Sequence, residues 1–227
     1  WPKDFTVVTY KKLLEDAQFW RSFLISIGRV ALGLLINMFF TVSMAYPLSK
    51  SKLRFPAREV YIKFVIFAML FSGGIIPLFM VVSNLHLTNT IWSLVLPGAV
   101  PVFNVILLIN FFKGVPESLD EAARIDGASP IQILVQIYLP ALATVALFSI
   151  VNHWNDYFSG LIYMSKSAMY PLQTYIQQLT VDITQVTDAE QLKQMASMNN
   201  RTFNATKIVV STIPLLIIYP FLQKYFV

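Results

Sequence analysis

Residues 113–140 read KGVPESLDEAARIDGASPIQILVQIYLP. The first half is charged and amphipathic, and the second half turns apolar. Between Ser118 and Ile125 the residues are mostly good helix formers. Ser118 is placed to cap that helix, with Glu121 three residues on as its box partner. Gly127 stands where a helix ends in a left-handed residue. Ser129-Pro130 then opens a second helix, since proline is tolerated at a first helical position. The segment predicts a short helix, a sharp turn and a second helix feeding an apolar run. Leu119, Ala122, Ala123 and Ile125 give the first helix a small apolar surface, which Asp120, Glu121 and Asp126 ring with negative charge. A knob of this kind suits a groove on a partner protein.

Outward from this segment the chain is dominated by apolar runs. Five reach the roughly 20 residues needed to cross a bilayer: Phe23–Leu48, Tyr61–Val82, Ile91–Phe112, Leu139–Met164 and Ile208–Phe226. Of the 227 residues, 56% are hydrophobic and 13% charged, about half the charge of an ordinary soluble domain. Disorder is excluded, and too few polar groups exist to cover a water-soluble globule. A bilayer forces backbone groups to pair internally, so the expected class is an all-α polytopic membrane bundle in one domain over residues 1–227. No run has the form of a signal peptide or the ten-residue alternation of a barrel strand. The chain has no cysteine and two histidines, His86 and His153. This excludes disulfides, thiol nucleophiles and thiolate metal sites, and leaves little for a histidine site. Two runs are interrupted, by Ser72-Gly73-Gly74 with Pro77 and by Pro97-Gly98 with Pro101. Such breaks fit either kinks packed inside a bundle or helices that line a pathway.

The net charge of +5 does not point to nucleic acid once the cations are placed. Residues 49–63 hold Lys50, Lys52, Arg54, Arg58 and Lys63, whereas 83–90 hold none. Lys113 and Arg124 lie in 113–130, and 165–207 is long and sparsely basic. Positive residues collect on cytoplasmic loops. This puts 49–63 and 113–130 inside, 83–90 and 165–207 outside, and residues 1–22 outside as an amphipathic lead-in. Within the lead-in, Thr6–Arg21 is expected to be helical, with Val7, Leu14 and Phe19 as apolar contacts. An outside start without a preceding span suggests a subunit of six spans whose first lies upstream. In 165–207, Thr187-Asp188-Ala189-Glu190 reads as a capping box for a helix to about Met198.

Glu121-Ala122-Ala123, three residues, Gly127, nine residues, Ile137, one residue, Leu139-Pro140 resembles the EAA signature of permease subunits of bacterial ATP-binding-cassette importers. The match holds at every marked position. Trp1–Thr6, Ala45–Ser49, His153–Phe158 and Tyr219–Val227 resemble the carbohydrate branch of these permeases, above all those for oligosaccharides and polysaccharide fragments. The resemblance implies a type I importer permease fold in the bacterial inner membrane. It implies a second, non-identical permease, two ATPase subunits that bind ATP and Mg, and an extracytoplasmic solute-binding protein. It makes Glu121, Ala122, Ala123, Asp126 and Gly127 part of a coupling helix docked on the ATPase. Consistently, the chain has no GxxxxGK[ST] phosphate loop and no cofactor motif of its own.

Intramembrane polar residues are costly and face a cavity or a partner helix. Asn152, His153, Asn155, Asp156 and Tyr157 fall in the fourth run. At 100° per residue, His153, Asp156, Tyr157 and Gly160 share one face. These residues, with Asn104 in the third run, are candidates for a sugar pathway, where amides, carboxylates and aromatic faces meet hydroxyls and C–H surfaces. Hydrogen bonding between helices, at about 0.6 kcal/mol each, fits the same residues. For Asn104 and Asn110 that structural role is favoured. Arg29 is expected to snorkel to the outer headgroups, and His86 to be solvated. A permease for amino acids or phosphate is the alternative within the class. An intramembrane enzyme using His153 and Asp156 has no nucleophile placed with it by motif. An ion-coupled carrier leaves residues 121–140 unexplained.

Overall fold

The computed structural model of the chain describes residues 8–51, 53–178, 205–206, 208–214 and 216–217. Every regular element among them is helical. A short α1 (Val8–Glu15) is followed by the 33-residue α2 (Ala17–Ser49). The lead-in is therefore shorter than the expected Thr6–Arg21 helix, and the long helix begins at Ala17 rather than Phe23. Asp16 is the cause: its carboxylate accepts the Gln18 N–H at 2.8 Å and caps α2, a role aspartate prefers to a helix interior. Leu13 and Phe19 are buried while Leu14 is exposed. Val7 lies outside the described residues.

At 1.5 Å per residue α2 is about 50 Å long, well beyond a hydrocarbon core of about 30 Å. Its buried residues are Phe19, Ser22, Ser26, Arg29, Gly33, Asn37, Thr41, Ala45 and Leu48. They recur every three or four positions and form one stripe of mostly small and polar side chains. Against this stripe pack α6 (Val102–Lys113) and α9 (Leu139–Asn155). Small residues let helix backbones approach closely where lipid gives no hydrophobic drive. At Gly33 the His153 ring fills the space, and a Cβ there would collide with it. Gly33→Leu is expected to destabilise the bundle by about 1–3 kcal/mol through overpacking. At Gly28 a Cβ meets only Ile91 Cδ1 at 3.6 Å, so Gly28→Ala should be nearly neutral. Thermal melting of the two variants in detergent compares them, and equal midpoints would refute the close approach.

The remaining apolar runs are broken. Where one span was expected over Tyr61–Val82, α3 (Arg58–Leu70) and α4 (Ile75–Asn84) meet at 107°. Gly74, at φ +86°, makes the corner in a conformation that side chains rarely adopt. In the third run α5 (Ile91–Val95) and a 3₁₀ turn (Leu96–Gly98) meet α6 at 49°. Next come α7 (Glu117–Ile125), α8 (Pro130–Ile133) and a π-helical turn (Leu134–Tyr138) leading into α9. The expected fourth span Leu139–Met164 stops at Asn155 and resumes as α10 (Phe158–Tyr163). His153, Asp156, Tyr157 and Gly160 therefore share no continuous helical face. After a 3₁₀ turn at Ser167–Met169, α11 (Leu172–Gln178) closes this part of the chain. By length and composition α2 alone crosses a membrane unbroken; counting each bent pair as one span gives up to four among the described residues. Of the fifth run, 208–214 and 216–217 are helical. The expected helix at 187–198 lies outside the described residues.

Two apolar clusters flank the polar middle. One joins Ala45, Leu48, Val105, Leu108, Phe112, Ile133 and Tyr138 at the α7 end. The other joins Leu13, Phe19, Trp154, Leu172, Tyr175 and Ile176 at the opposite end.

Candidate functional site: the helical hairpin and the polar middle of the bundle

The helix α7 starts two residues earlier than expected. Pro116 occupies the N-cap position and Ser118 makes no cap; the Leu119 N–H bonds the Pro116 carbonyl at 3.1 Å. The far end follows the sequence. Gly127 sits at φ +80°, and the N–H groups of Asp126, Gly127 and Ala128 bond the carbonyls of Ala122, Arg124 and Ala123. Ser129 then forms a full capping box with Gln132 and opens α8, with Pro130 in its first turn. Glu121, Ala122, Asp126 and Gly127 are exposed and Ala123 is half-buried. Leu119 and Ile125 are also exposed.

Asp120 departs from the expected ring of charge. It is 1% exposed and faces inward to three cations. Lys50 Nζ lies 3.2 Å from Oδ1, while Arg54 and Arg124 reach Oδ2 at 2.7 and 3.3 Å. Lys50 also donates to Tyr138 Oη at 2.9 Å and sits over the rings of Tyr46 and Tyr138. Burial works against the Asp120 carboxylate, but hydrogen bonds from Lys50 and Arg54, with the charges of Lys50 and Arg124, hold its pKa below the usual range. Burial likewise works against the Lys50 ammonium, and the bonds to Tyr138 and Asp120 outweigh it and raise its pKa. The hairpin is thus tied to the end of α2 through the buried Asp120 carboxylate, with Glu121 meeting Arg54 at 3.9 Å and Ala123 and Ala128 packed on the apolar cluster. Sequence reading missed Lys50 and Arg54 as its holders, because it counted them only as loop cations.

At mid-bundle, Arg29 is 2% exposed and does not snorkel. Its guanidinium pairs with the Asp156 carboxylate and donates to the Asp156 carbonyl at 2.7 Å and the Leu94 carbonyl at 3.2 Å. Asn37, which sequence reading also missed, donates to the carbonyls of Gly98 at 2.7 Å and Ala99 at 3.0 Å. The Gly98, Ala99 and Asp156 carbonyls belong to the breaks at 96–101 and 156–157, and Leu94 lies in the last turn of α5 just before the first of them. Helix breaks inside a bilayer leave acceptors that neighbouring side chains must satisfy, and α2 supplies the donors. The Asn37 amide nitrogen is engaged this way, so its Oδ1 accepts from His153 Nε2 at 2.6 Å. That assigns the His153 proton to Nε2. Asp156 also accepts from the Ser159 N–H and hydroxyl, at 3.1 and 2.5 Å.

A cavity of about 370 Å³ opens here, with Arg29, Asn37, Ser149, Asn152, His153 and Asp156 among its walls. Of the predicted pathway residues the structure therefore gathers Asn152, His153 and Asp156. Asn155 and Tyr157 are exposed and outside this cavity. Asn104 is buried against Ser149 at 3.4 Å, the interhelical role favoured for it. Asn110 and His86 are exposed. Among the described residues no group of histidine and carboxylate side chains could hold a metal ion.

Apolar helices braced through buried polar bonds, with a charged helical hairpin at one end, have the make-up of a helical membrane component. The chain belongs to the family of binding-protein-dependent transport system inner membrane components, whose profile matches residues 28–227. It is 42% identical to Protein LplC of Bacillus subtilis (strain 168), over 99% of this chain and 77% of that protein. It is 36% identical to the polygalacturonan/rhamnogalacturonan transport system permease protein YtcP of the same organism, over 99% of this chain and 80% of that protein. A chain in the crystal structure of a bacterial ABC transporter involved in the import of the acidic polysaccharide alginate matches with a TM-score of 0.84 and 34% identity, covering 100% of this chain and 81% of that one. The resemblance read from residues 121–140 therefore holds, and the fold is that of a type I ABC permease.

Proposed function

We propose that this chain pairs with a second, non-identical permease to form the pathway of an ATP-driven importer of oligosaccharides, uronate-bearing polysaccharide fragments among them. Its helices cross the bacterial inner membrane several times. The residue 49–63 and 113–130 ends face the cytoplasm, and the α11 end faces a solute-binding protein outside. Two ATPase subunits bind ATP and Mg²⁺ and dock on α7. Glu121, Ala122, Ala123, Asp126 and Gly127 form the docking element, and Asn152, His153 and Asp156 face the pathway. The substrate class is supported by the names of the relatives and by a cavity lined with amide, imidazole, hydroxyl and carboxylate groups, which suit sugar hydroxyls.

The observation that carries the reading is the anchoring of α7. Asp120 fixes the hairpin to the same helix, α2, whose middle braces the polar cavity. A pull on α7 is thereby delivered to the pathway wall. Co-purification of the tagged full-length subunit tests it. With Glu121→Lys the second permease should stay, the ATPase pair should be lost, and uptake of labelled oligogalacturonide should fall to background. Gly127→Pro should do the same, because proline cannot adopt a positive φ and loses the N–H bonded to Arg124. An intact complex with normal uptake in both variants would overturn the assignment.

A further inference from the structure

We propose that the cytoplasmic end of this chain holds the phosphodiester headgroup of an anionic phospholipid in a basic cavity behind the α7 hairpin. The cavity measures about 340 Å³, and its walls include Lys50, Arg54, Arg58 and Lys113, with Asp120 as the one carboxylate. Asp120 is shared by Lys50, Arg54 and Arg124, and Glu121 meets Arg54 at 3.9 Å, so the excess positive charge of the wall comes from Arg58 and Lys113. Arg58 is fixed in place by its Nε–H bond to the Leu48 carbonyl at 2.8 Å. The Lys50 side chain is 14% exposed and held between two tyrosines. Concentrated, partly desolvated positive charge on a preformed wall is a site for an oxyanion.

The depth of the cavity favours a lipid over a free phosphate. Its walls also include Phe112 and Tyr138, both buried in the apolar cluster at the helix ends. Tyrosines at this level mark the headgroup zone of a membrane. Arg58 also begins α3, where Val60, Phe64 and Phe67 at i, i+4 and i+7 form an exposed apolar stripe. A headgroup on Arg58 has an apolar surface for its acyl chains on the same helix. The docking residues Leu119, Glu121 and Ile125 are not among the walls of the cavity, so an ATPase seated on them leaves it clear.

The inference rests on the inward placement of this end given under Proposed function. The two fail separately. Residues 1–227 lack cysteine, so Lys113→Cys, in a full-length subunit in which any other cysteine is replaced by serine, gives a defined labelling site. Its reaction with an impermeant maleimide in whole cells would refute the placement, whatever the cavity binds.

The test is native mass spectrometry of the assembled transporter after reconstitution in phosphatidylcholine vesicles containing phosphatidylglycerol. Retained phosphatidylglycerol is expected on the wild type and on Arg124→Gln, which removes a cation outside the cavity. Arg58→Gln with Lys113→Gln should lower retention by about tenfold or more, since each basic residue near an anionic headgroup contributes several-fold in affinity. Arg58→Lys, which keeps the charge, should restore most of it, and melting of each variant separates lost binding from lost fold. Unchanged retention in the folded double variant would overturn the proposal. So would displacement of the lipid by millimolar inorganic phosphate, which would make this a free-phosphate site. Lipid held by the permease pair but absent once the ATPases are bound would assign the cavity to an acidic ATPase side chain instead.

Discussion

Arg29→Ala is expected to lower the melting temperature and yield of the folded subunit sharply. Arg29 joins the end of α5 to the α9–α10 break, through the Leu94 carbonyl and through the Asp156 carbonyl and carboxylate. Truncation leaves a carboxylate and two backbone carbonyls short of donors in an apolar surrounding. Removing one partner of a buried ion pair costs about 3–5 kcal/mol, and one third of the Asp156 side chain meets solvent, so about 3 kcal/mol is the working figure. That is a large share of a total stability of about 5–15 kcal/mol. Lysine cannot substitute, because a single ammonium on a flexible stem does not span acceptors on two elements. The decisive comparison is Arg29→Met combined with Asp156→Asn. Replacing both charges by uncharged groups of similar size is often neutral. The double variant removes the unpaired charge but still leaves the Leu94 and Asp156 carbonyls without the Arg29 donors, so it should melt above Arg29→Ala yet remain below wild type by about 1–3 kcal/mol. Wild-type melting of Arg29→Ala would show that the pair does not brace the breaks.

Much of this arrangement is written locally in the chain. Gly127 and the helix start at Ser129-Pro130 were legible because helix ends are decided within a few residues. The breaks at Ser72–Gly74, Pro97–Gly98 and Pro101 were legible for the same reason. What was not legible is how the breaks are satisfied. Arg29 looked like a headgroup anchor because sequence places it near one end of an apolar run. Its true partners lie 65 and 127 positions away. Yet α2 carried a signal: serine, serine, arginine, glycine, asparagine, threonine and alanine recur every three or four residues from Ser22 to Ala45. A polar stripe along a membrane helix, read together with proline breaks elsewhere, predicts a donor column facing the broken helices. Asp120 was misread for a related reason. On a helical wheel it belongs to the charged side of α7, and only the fold shows that this side faces Lys50 and Arg54 rather than water. Fold class and hairpin thus follow from local pattern, whereas the cavity depends on pairings across the chain.

Asp120→Ala is expected to uncouple transport without releasing the ATPase. The side chain contributes nothing to the exposed surface formed by Leu119, Glu121 and Ile125, so docking should survive. What is lost is the joint between α7 and the end of α2. Lys50 and Arg54 are left side by side without their shared carboxylate, at a cost of about 3 kcal/mol. ATP hydrolysis by the co-purified complex should continue while uptake falls about tenfold or more. Asp120→Asn keeps the shape but not the charge and should resemble alanine more than wild type. The pH dependence has a definite sign. The lowered Asp120 pKa means its contribution is complete above the usual carboxylate range and disappears as pH falls through the lowered value. The raised Lys50 pKa means the reverse at the alkaline end, with loss only as pH climbs through the raised value. At neutral pH both are fully in force, so coupling should be flat there in wild type. In Asp120→Ala the acid-side loss of coupling should vanish. If instead the ATPase dissociates from Asp120→Ala as it does from Glu121→Lys, Asp120 shapes the docking surface and the joint lies elsewhere.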